Sequence, residues 1–325
     1  MKHITIIVPE GEGNNLSSIV GAYKIFSRAN AYRKETGGRD LYKIELAGIS
    51  KAVEFYDGLF TVKPHTHITA IAKTNLIIIP SLNHDYKKAL KENKLLVDWI
   101  EKQYKHGAEV ASICTGAFLL ASSGLLDGKS CSTHWAATEN FRMMFPEVNL
   151  QPDKLITDEQ GIYTNGGAYS FLNLIIYLVE KFYDRQTAIF CAKVFQIDLD
   201  RNLQSEFSIF TGHKKHGDDS IQKAQAFIEK NYPDKISVEA LSGRFNIGRR
   251  NFDRRFIKAT GITPLDYLQR VKVEAAKKSF ENTRKTVSEV MYDVGYNDTK
   301  AFRDVFSRVT GMSPLDYKSK YNRGS

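Results

Sequence analysis

The sequence predicts two folds in series: an α/β body built on a mostly parallel sheet, then a basic, all-α module. Three observations carry that prediction. Short β-branched runs alternate with helical stretches through about residue 205, the pattern of a parallel sheet covered by helices. The last third of the chain repeats itself at an offset of 50 residues. Charge is also divided: residues 1–213 hold 23 Lys+Arg against 23 Asp+Glu, and residues 214–325 hold 23 against 14. The whole net charge of +9 therefore lies in the tail, as in a neutral body carrying a polyanion-binding module.

Composition narrows the class further. A chain of 325 residues has room for about two domains. With 42% apolar and 26% charged residues, it belongs with globular rather than disordered proteins. No uncharged apolar run approaches the ~20 residues of a membrane helix, and Met1–Pro9 is too short for a signal peptide. Three cysteines (Cys114, Cys131 and Cys191) are an odd set in a large chain. They point away from a disulfide framework and toward a reducing cytoplasm. Secreted, membrane-spanning and fibrous classes are excluded on this reading.

In the body, Ile4–Val8, Ile44–Gly48, Leu76–Ile79 and Glu109–Ile113 are continuous and β-branched, which predicts strands buried on both faces. Leu16–Ala29, Tyr86–Tyr104, Gly116–Ala121 and Tyr169–Phe182 carry helical spacing. This order predicts a doubly wound parallel sheet, whose ligands sit beyond the carboxyl ends of the strands. The body is expected to span residues 1–210. Thr211–Ser220 (TGHKKHGDDS) is polar and unpatterned, which predicts a linker over 211–220. Residues 221–325 remain for the helical module.

Within that module, Phe252–Tyr267 (FDRRFIKATGITPLDY) and Phe302–Tyr317 (FRDVFSRVTGMSPLDY) share F-x3-F, T-G and P-L-D-Y. Two copies are too few for a solenoid, so one supersecondary unit is used twice. In the first copy, Ser237 precedes a helix over Val238–Phe245, and a turn follows through Asn246–Gly248. A second helix near Arg249–Ala259 is stopped by Gly261 and Pro264. The second copy predicts helices over Val287–Val294 and Thr299–Val309 around a turn at Gly295–Asp298. Phe252, Phe256, Phe302 and Phe306 fall on inward faces, whereas Arg250, Asn251, Arg254, Lys258, Lys300 and Arg308 fall on outward ones. Pro264–Glu281 between the copies predicts one connecting helix of roughly 27 Å. That is not far below the ~34 Å between successive major-groove faces of a duplex.

On these residues, and on the series Gly295-Tyr296-Asn297-Asp298 through Pro314, the tail resembles the AraC/XylS family of bacterial transcription regulators. The resemblance implies a double helix-turn-helix reading adjacent major grooves of double-stranded promoter DNA. Carried onto this chain, base contacts come from Arg249, Arg250 and Asn251 in the first copy and from Thr299, Lys300 and Arg303 in the second. Arg and Asn pair with guanine and adenine edges through bidentate hydrogen bonds. Arg254 stands at a position usually basic in the family and is expected on the DNA-facing side. Lys258 and Arg308, further along, are expected to hold phosphates, which position without specifying. The second copy departs from the pattern, with Asp304 where the first has Arg254. A carboxylate there repels phosphate unless Arg303 or Arg308 pairs with it, so the first unit is expected to supply more of the affinity.

One segment of the body invites a chemical reading. Ala111–Ala117 (ASICTGA) predicts a sharp strand-to-helix turn with Cys114 at its corner, where a helix N-terminus lowers a thiol's pKa. His134 stands twenty residues on as a base or orienting partner. Cys114–Trp135 (CTGAFLLASSGLLDGKSCSTHW) resembles the PfpI-like branch of the class I glutamine-amidotransferase-like superfamily. More closely, it is similar to the ligand-sensing domain of GlxA-type AraC regulators. Tyr163–Phe207 fits too, through Asn165-Gly166-Gly167 and Asp200-Arg201-Asn202-Leu203-Gln204. The resemblance implies a flavodoxin-like fold with a nucleophile-elbow-like turn. In it, Cys114 and His134 line a small-molecule pocket rather than catalyse. It further implies an amino acid or amine-like effector and a homodimer formed through this domain, and leaves RNA polymerase open as a partner. No cofactor, metal or membrane partner is expected.

Alternatives stay open at Cys114: a packed vestigial corner, an oxidation-sensing thiol, or a catalyst. The competing function is a cysteine-dependent amidase or glyoxalase-type hydrolase tethered to DNA. Such hydrolases pair Cys and His with a carboxylate, and Glu10 and Glu12 are the only nearby candidates in chain order. Elsewhere, His65 and His67 lack further ligands at metal spacing and are expected at the surface. Gly11–Gly13 lacks the third glycine of a dinucleotide fingerprint.

Overall fold

Contacts divide the chain between Gln204 and Ser205. The computed structural model describes residues 2–11, 13–38, 41–82, 85–199, 203–214 and 216–322. Glu12 and the stretch 200–202, singled out above, lie outside them. The first unit opens with β1 (Lys2–Val8), α1 (Leu16–Glu35), β2 (Tyr42–Gly48), β3 (Val53–Phe55), β4 (Phe60–Val62), β5 (Thr66–His67) and β6 (Leu76–Ile79). It continues through α2 (Tyr86–Glu92), α3 (Lys94–Lys105), β7 (Glu109–Ile113), α4 (Ala117–Ala121), β8 (Ser130–Cys131) and α5 (Thr138–Met144). It closes with β9 (Asn149–Leu150), β10 (Ile156–Glu159), β11 (Ile162–Asn165), α6 (Phe171–Phe182) and α7 (Arg185–Phe195).

Seven strands form one sheet in the order β10-β11-β7-β6-β1-β2-β5. All neighbours are parallel except β10 against β11. The strands that the continuous runs predict lie inside the sheet; β1, β6 and β7 are buried along nearly their whole length, whereas Ile44, Glu45 and Leu46 of β2 are only half-buried. Alternation decides which core each side chain joins: Ile4, Ile6 and Val8 pack with α1, α6 and α7, while Ile7 packs on the other face with α2 to α5. Each fully buried aliphatic side chain contributes roughly 1.5–3 kcal/mol. Because β1 pairs with β2 on one side and β6 on the other, strand order reverses beside β1. The crevice there opens at the carboxyl ends.

The helix expected over Tyr86–Tyr104 is broken in two at Asn93, which ends α2 and begins α3. Asn93 is fully buried. Its side chain accepts from the Glu10 backbone N–H at 2.8 Å and donates to the Glu10 carbonyl at 3.0 Å. The break lets one amide hold the chain where it leaves β1.

The second unit is all helix: α8 (Asp219–Asn231), α9 (Val238–Arg244), α10 (Arg249–Thr260), α11 (Pro264–Asn282), α12 (Val287–Asp293), α13 (Thr299–Thr310) and α14 (Pro314–Tyr321). The sequence repeat is a structural one. Thr260 and Thr310 each bond back to a Phe carbonyl at 2.8 Å, and Thr263 and Ser313 each cap the next helix. Tyr267 donates to Glu229 at 2.6 Å on α8, and Tyr317 donates to Glu281 at 2.5 Å on α11. Thus α8 serves the first copy as α11 serves the second, a role that polar composition around it concealed. The connecting helix α11 enters both cores, giving Tyr267 and Leu268 to one and Val273, Ala276 and Phe280 to the other.

The stretch 211–220 is not the free linker that its composition predicts. Just before it, the Lys277 ammonium donates to the Ser208 carbonyl at 2.6 Å, and Glu274 accepts from the Phe210 N–H at 3.2 Å. Within it, buried Gln225 donates to the His213 carbonyl at 2.9 Å, and α8 has begun by Asp219. Polar side chains of the second unit take up its backbone groups, so a polar sequence packs. Among the described residues, no helix is long and apolar enough to cross a membrane.

Candidate nucleic-acid interface and strand-end site

Each helix-turn-helix pairs a seven-residue helix with a twelve-residue one: α9 with α10, and α12 with α13. The twelve-residue helices bury Phe252 and Phe256, or Phe302 and Phe306, against the cores. That anchoring turns the opposite stripe outward. Arg249, Arg250, Asn251, Arg254 and Lys258 on α10 are all exposed, as are Thr299, Lys300, Arg303 and Arg308 on α13.

The outward residues are not equally available. Arg249 is ion-paired to Glu239 and, at 2.9 Å, to Asp253. Arg254 donates to the Asn251 side chain at 3.0 Å, which aligns the two polar heads. Arg308, expected on a phosphate or paired with Asp304, donates to Asp266 at 3.0 Å and to Gln269 at 2.6 Å on α11. Its guanidinium therefore ties α13 to the connecting helix. Arg255, between the two faces, makes a bidentate pair with Asp218, the N-cap of α8, at 2.6 and 2.8 Å.

In the first unit, β7 ends at a sharp corner. Cys114 has φ +54°, a left-handed backbone that a non-glycine residue adopts only under constraint. The constraint comes from the two residues that follow. Thr115 shares a hydrogen bond with Ser81 at 2.8 Å and bonds the Leu82 backbone through both its N–H and its carbonyl. Gly116 lies so close to β6 that a Cβ there would stand 2.5 Å from the Pro80 carbonyl oxygen. Thr133 closes the far side by donating to the Cys114 carbonyl at 3.0 Å.

Cys114 is 4% exposed. Burial pushes its pKa up, only partly offset by hydrogen bonds from Ser81 and Thr115. The expected lowering by a helix N-terminus is thus overturned, because α4 has only five residues and sits in a closed apolar layer. His134 is brought to the same edge by Thr133. Its Nδ1 accepts the Ala136 N–H at 3.1 Å, holding the turn that follows. At the carboxyl ends of β1 and β2 lies an open cavity of about 490 Å³, lined by Glu10, Gly11, Val53, Glu54, Lys88 and Glu92 among others. Neither Cys114 nor His134 lines it. His65 and His67 hold backbone N–H groups, of Leu46 and Thr69 respectively.

A family model described as the DJ-1/PfpI family matches residues 13–181, just over half of the chain. The chain belongs to the DJ-1/PfpI family. A second model, described as a helix-turn-helix domain, matches residues 241–320 of this DJ-1/PfpI protein. The HTH-type transcriptional regulator GbdR of Pseudomonas aeruginosa is 23% identical over 93% of this chain and 80% of its own. The HTH-type transcriptional regulator GlxA of Rhizobium meliloti is 23% identical over 67% of this chain and 70% of its own. Among solved structures, an AraC family transcriptional regulator from Pseudomonas putida superposes with a TM-score of 0.51 at 17% identity. It covers 60% of this chain and 100% of that one, and at that identity it speaks to the fold alone.

Two residues of the DJ-1/PfpI unit escaped the sequence reading. Ser81, after β6, had no local signal, because its partner Thr115 lies 34 residues away. Gln204 stood inside a family motif with no role assigned. It is 1% exposed and donates to the carbonyls of Thr133 at 2.9 Å and Pro152 at 2.7 Å. It therefore pins the end of the unit to the loop that holds Cys114.

Proposed function

We infer that the chain is a DNA-binding transcription regulator whose helical unit reads two adjacent major-groove segments while its DJ-1/PfpI unit senses a small cationic amine. One observation carries the reading. Two equivalent helices, α10 and α13, stand on a shared connecting helix, each with its apolar stripe buried and its polar stripe outward. Arg249, Arg250 and Asn251 read bases in the first segment with Arg254 beside them on the DNA-facing side, and Thr299, Lys300 and Arg303 read them in the second. Lys258 and Arg308 hold phosphates, with Arg308 exchanging its exposed Asp266 contact for one.

The amine is supported by charge at the strand ends. Glu10, Glu54 and Glu92 face the cavity with Lys88 as the cation among its lining residues, a balance that suits a positively charged ligand. Cys114 and His134 support the neighbouring turn. A hydrolase would need a thiolate at Cys114, and burial drives that group the other way. The regulator acts in the cytoplasm as a homodimer through its DJ-1/PfpI unit and meets RNA polymerase at its promoter.

The test is selection of bound duplexes from a random pool by the full-length protein at moderate salt. The expected result is a two-part motif with parts about 10 base pairs apart. Recovery of no enriched sequence would overturn the reading.

A further inference from the structure

The outward face of α10 carries one residue that neither the fold nor the phosphate backbone explains. Ile257 is 44% exposed and takes no part in the core on which Phe252 and Phe256 pack. It lies three residues after Arg254 and seven after Arg250, so the three side chains form one stripe along the helix. Two cations and a β-branched aliphatic residue therefore share the surface turned away from the protein.

The repeat supplies an internal control for whether the fold requires that residue. Position 307 on α13, fifty residues later, occupies the same place on an equivalent helix and is Ser. An isoleucine is thus unnecessary for packing a helix of this kind. It is also unfavourable there, since a β-branched residue is a poorer helix former than Ala, Arg or Lys and much of its surface stays wet.

The major groove presents polar edges at every base and a single apolar group, the C5-methyl of thymine. We propose that Ile257 reads that methyl and is a specificity-determining residue of the first recognition helix. This rests on the DNA-reading function above. Arg250 and Arg254, on the same stripe, place the helix against guanine edges or phosphates on either side of the thymine. Closing the groove over Ile257 removes its apolar surface from water, which neither a cytosine nor an adenine at that step allows as well. Ser307 makes no such demand of the second segment.

The experiment uses the full-length protein and the duplex selected in the preceding test. Each thymine in the part bound by the first recognition helix is replaced singly by deoxyuridine, which removes the methyl and leaves base pairing unchanged. Ile257→Ala is measured alongside, with its helical circular dichroism and melting checked against the parent. At one thymine, the parent is expected to lose affinity about fourfold, the worth of one buried methyl group. Ile257→Ala is expected to bind more weakly and to ignore the same replacement. Equal sensitivity in parent and variant, indifference of the parent at every thymine, or a selected first segment without thymine would each overturn the proposal while leaving sequence-specific binding intact. Failure to select any sequence would instead overturn the DNA-reading function beneath it.

Discussion

Replacing Gly295 with Ala is expected to destabilise the second helix-turn-helix severely. Gly295 closes α12 with φ +75°, a conformation costing an L-residue about 1–2 kcal/mol. An added Cβ would also overlap the carbonyl oxygen of Pro233 and stand 2.9 Å from the Lys272 ammonium. That ammonium is buried and fixed by the Gly295 carbonyl at 3.1 Å and by the Tyr296 ring at 5.1 Å. The carbonyl is backbone, so relief requires moving the connection between α8 and α9, an overpacking cost of about 1–3 kcal/mol. Together the two terms come to ~2–5 kcal/mol. For a domain of this size the melting midpoint falls by about 8 °C or more. Far-ultraviolet circular dichroism of the full chain reports the helices of both units. The emission of Trp99 and Trp135, both in the first unit, checks that the α/β body stays folded. The matched control is Asn246→Gly in the first copy, where Asn246 already sits at φ +53°. It should change stability by less than about 1 kcal/mol. A Gly295→Ala protein melting with the parent would refute the close approach on which this reasoning stands.

Arg250→Ala is expected to weaken the selected site by ~1–3 kcal/mol and to relax preference at one base, checked by repeating the selection with the variant; uniform loss across sequences would place Arg250 on phosphate. Lys258→Ala should reduce the slope of log affinity against log salt by about one unit, read from titrations at several salt concentrations. The Arg255 guanidinium holds the Asp218 carboxyl below the usual carboxylate range. A carboxyl so depressed stabilises the fold above its ordinary pKa and loses that contribution as pH falls through its folded value. Acid melts of Arg255→Met should therefore show a shallower loss of stability below about pH 4 than the parent. Because burial raises the Cys114 pKa, alkylation of the native protein near neutral pH should be slow at Cys114 and quicken on unfolding. Rapid labelling of the folded protein, located by peptide mass, would contradict a closed thiol.

How much of this was legible depended on the distance over which each feature is decided. The central strands were readable because being buried on both faces forces a continuous apolar run, visible within five to seven residues. The double helix-turn-helix was readable because its copies share a spelling that a single chain displays twice. The break at Asn93 was not, since it serves the Glu10 backbone 83 residues earlier. The packing at His213 was hidden for a similar reason: a polar stretch looks like linker until Gln225 is seen to bond its backbone. At Cys114 the corner was legible from strand-to-helix spacing. The direction of its pKa was not, because the layers that bury the thiol come from elsewhere in the sequence.

The two recognition helices share a scaffold but not an electrostatic character. The outward stripe of α10 centres on Arg254, with Arg250 and Lys258 beside it, and the matching stripe of α13 centres on Asp304, with Lys300 and Arg308 beside it. Arg308 spends part of its charge on Asp266, which belongs to the connecting helix rather than to Asp304. Counterion release scales with the phosphates neutralised, so on the proposed DNA-reading function the first helix is expected to supply more of the attraction to any duplex. On the DNA-reading function proposed above, one connecting helix thus carries two reading helices that are expected to divide the attraction to phosphate unequally.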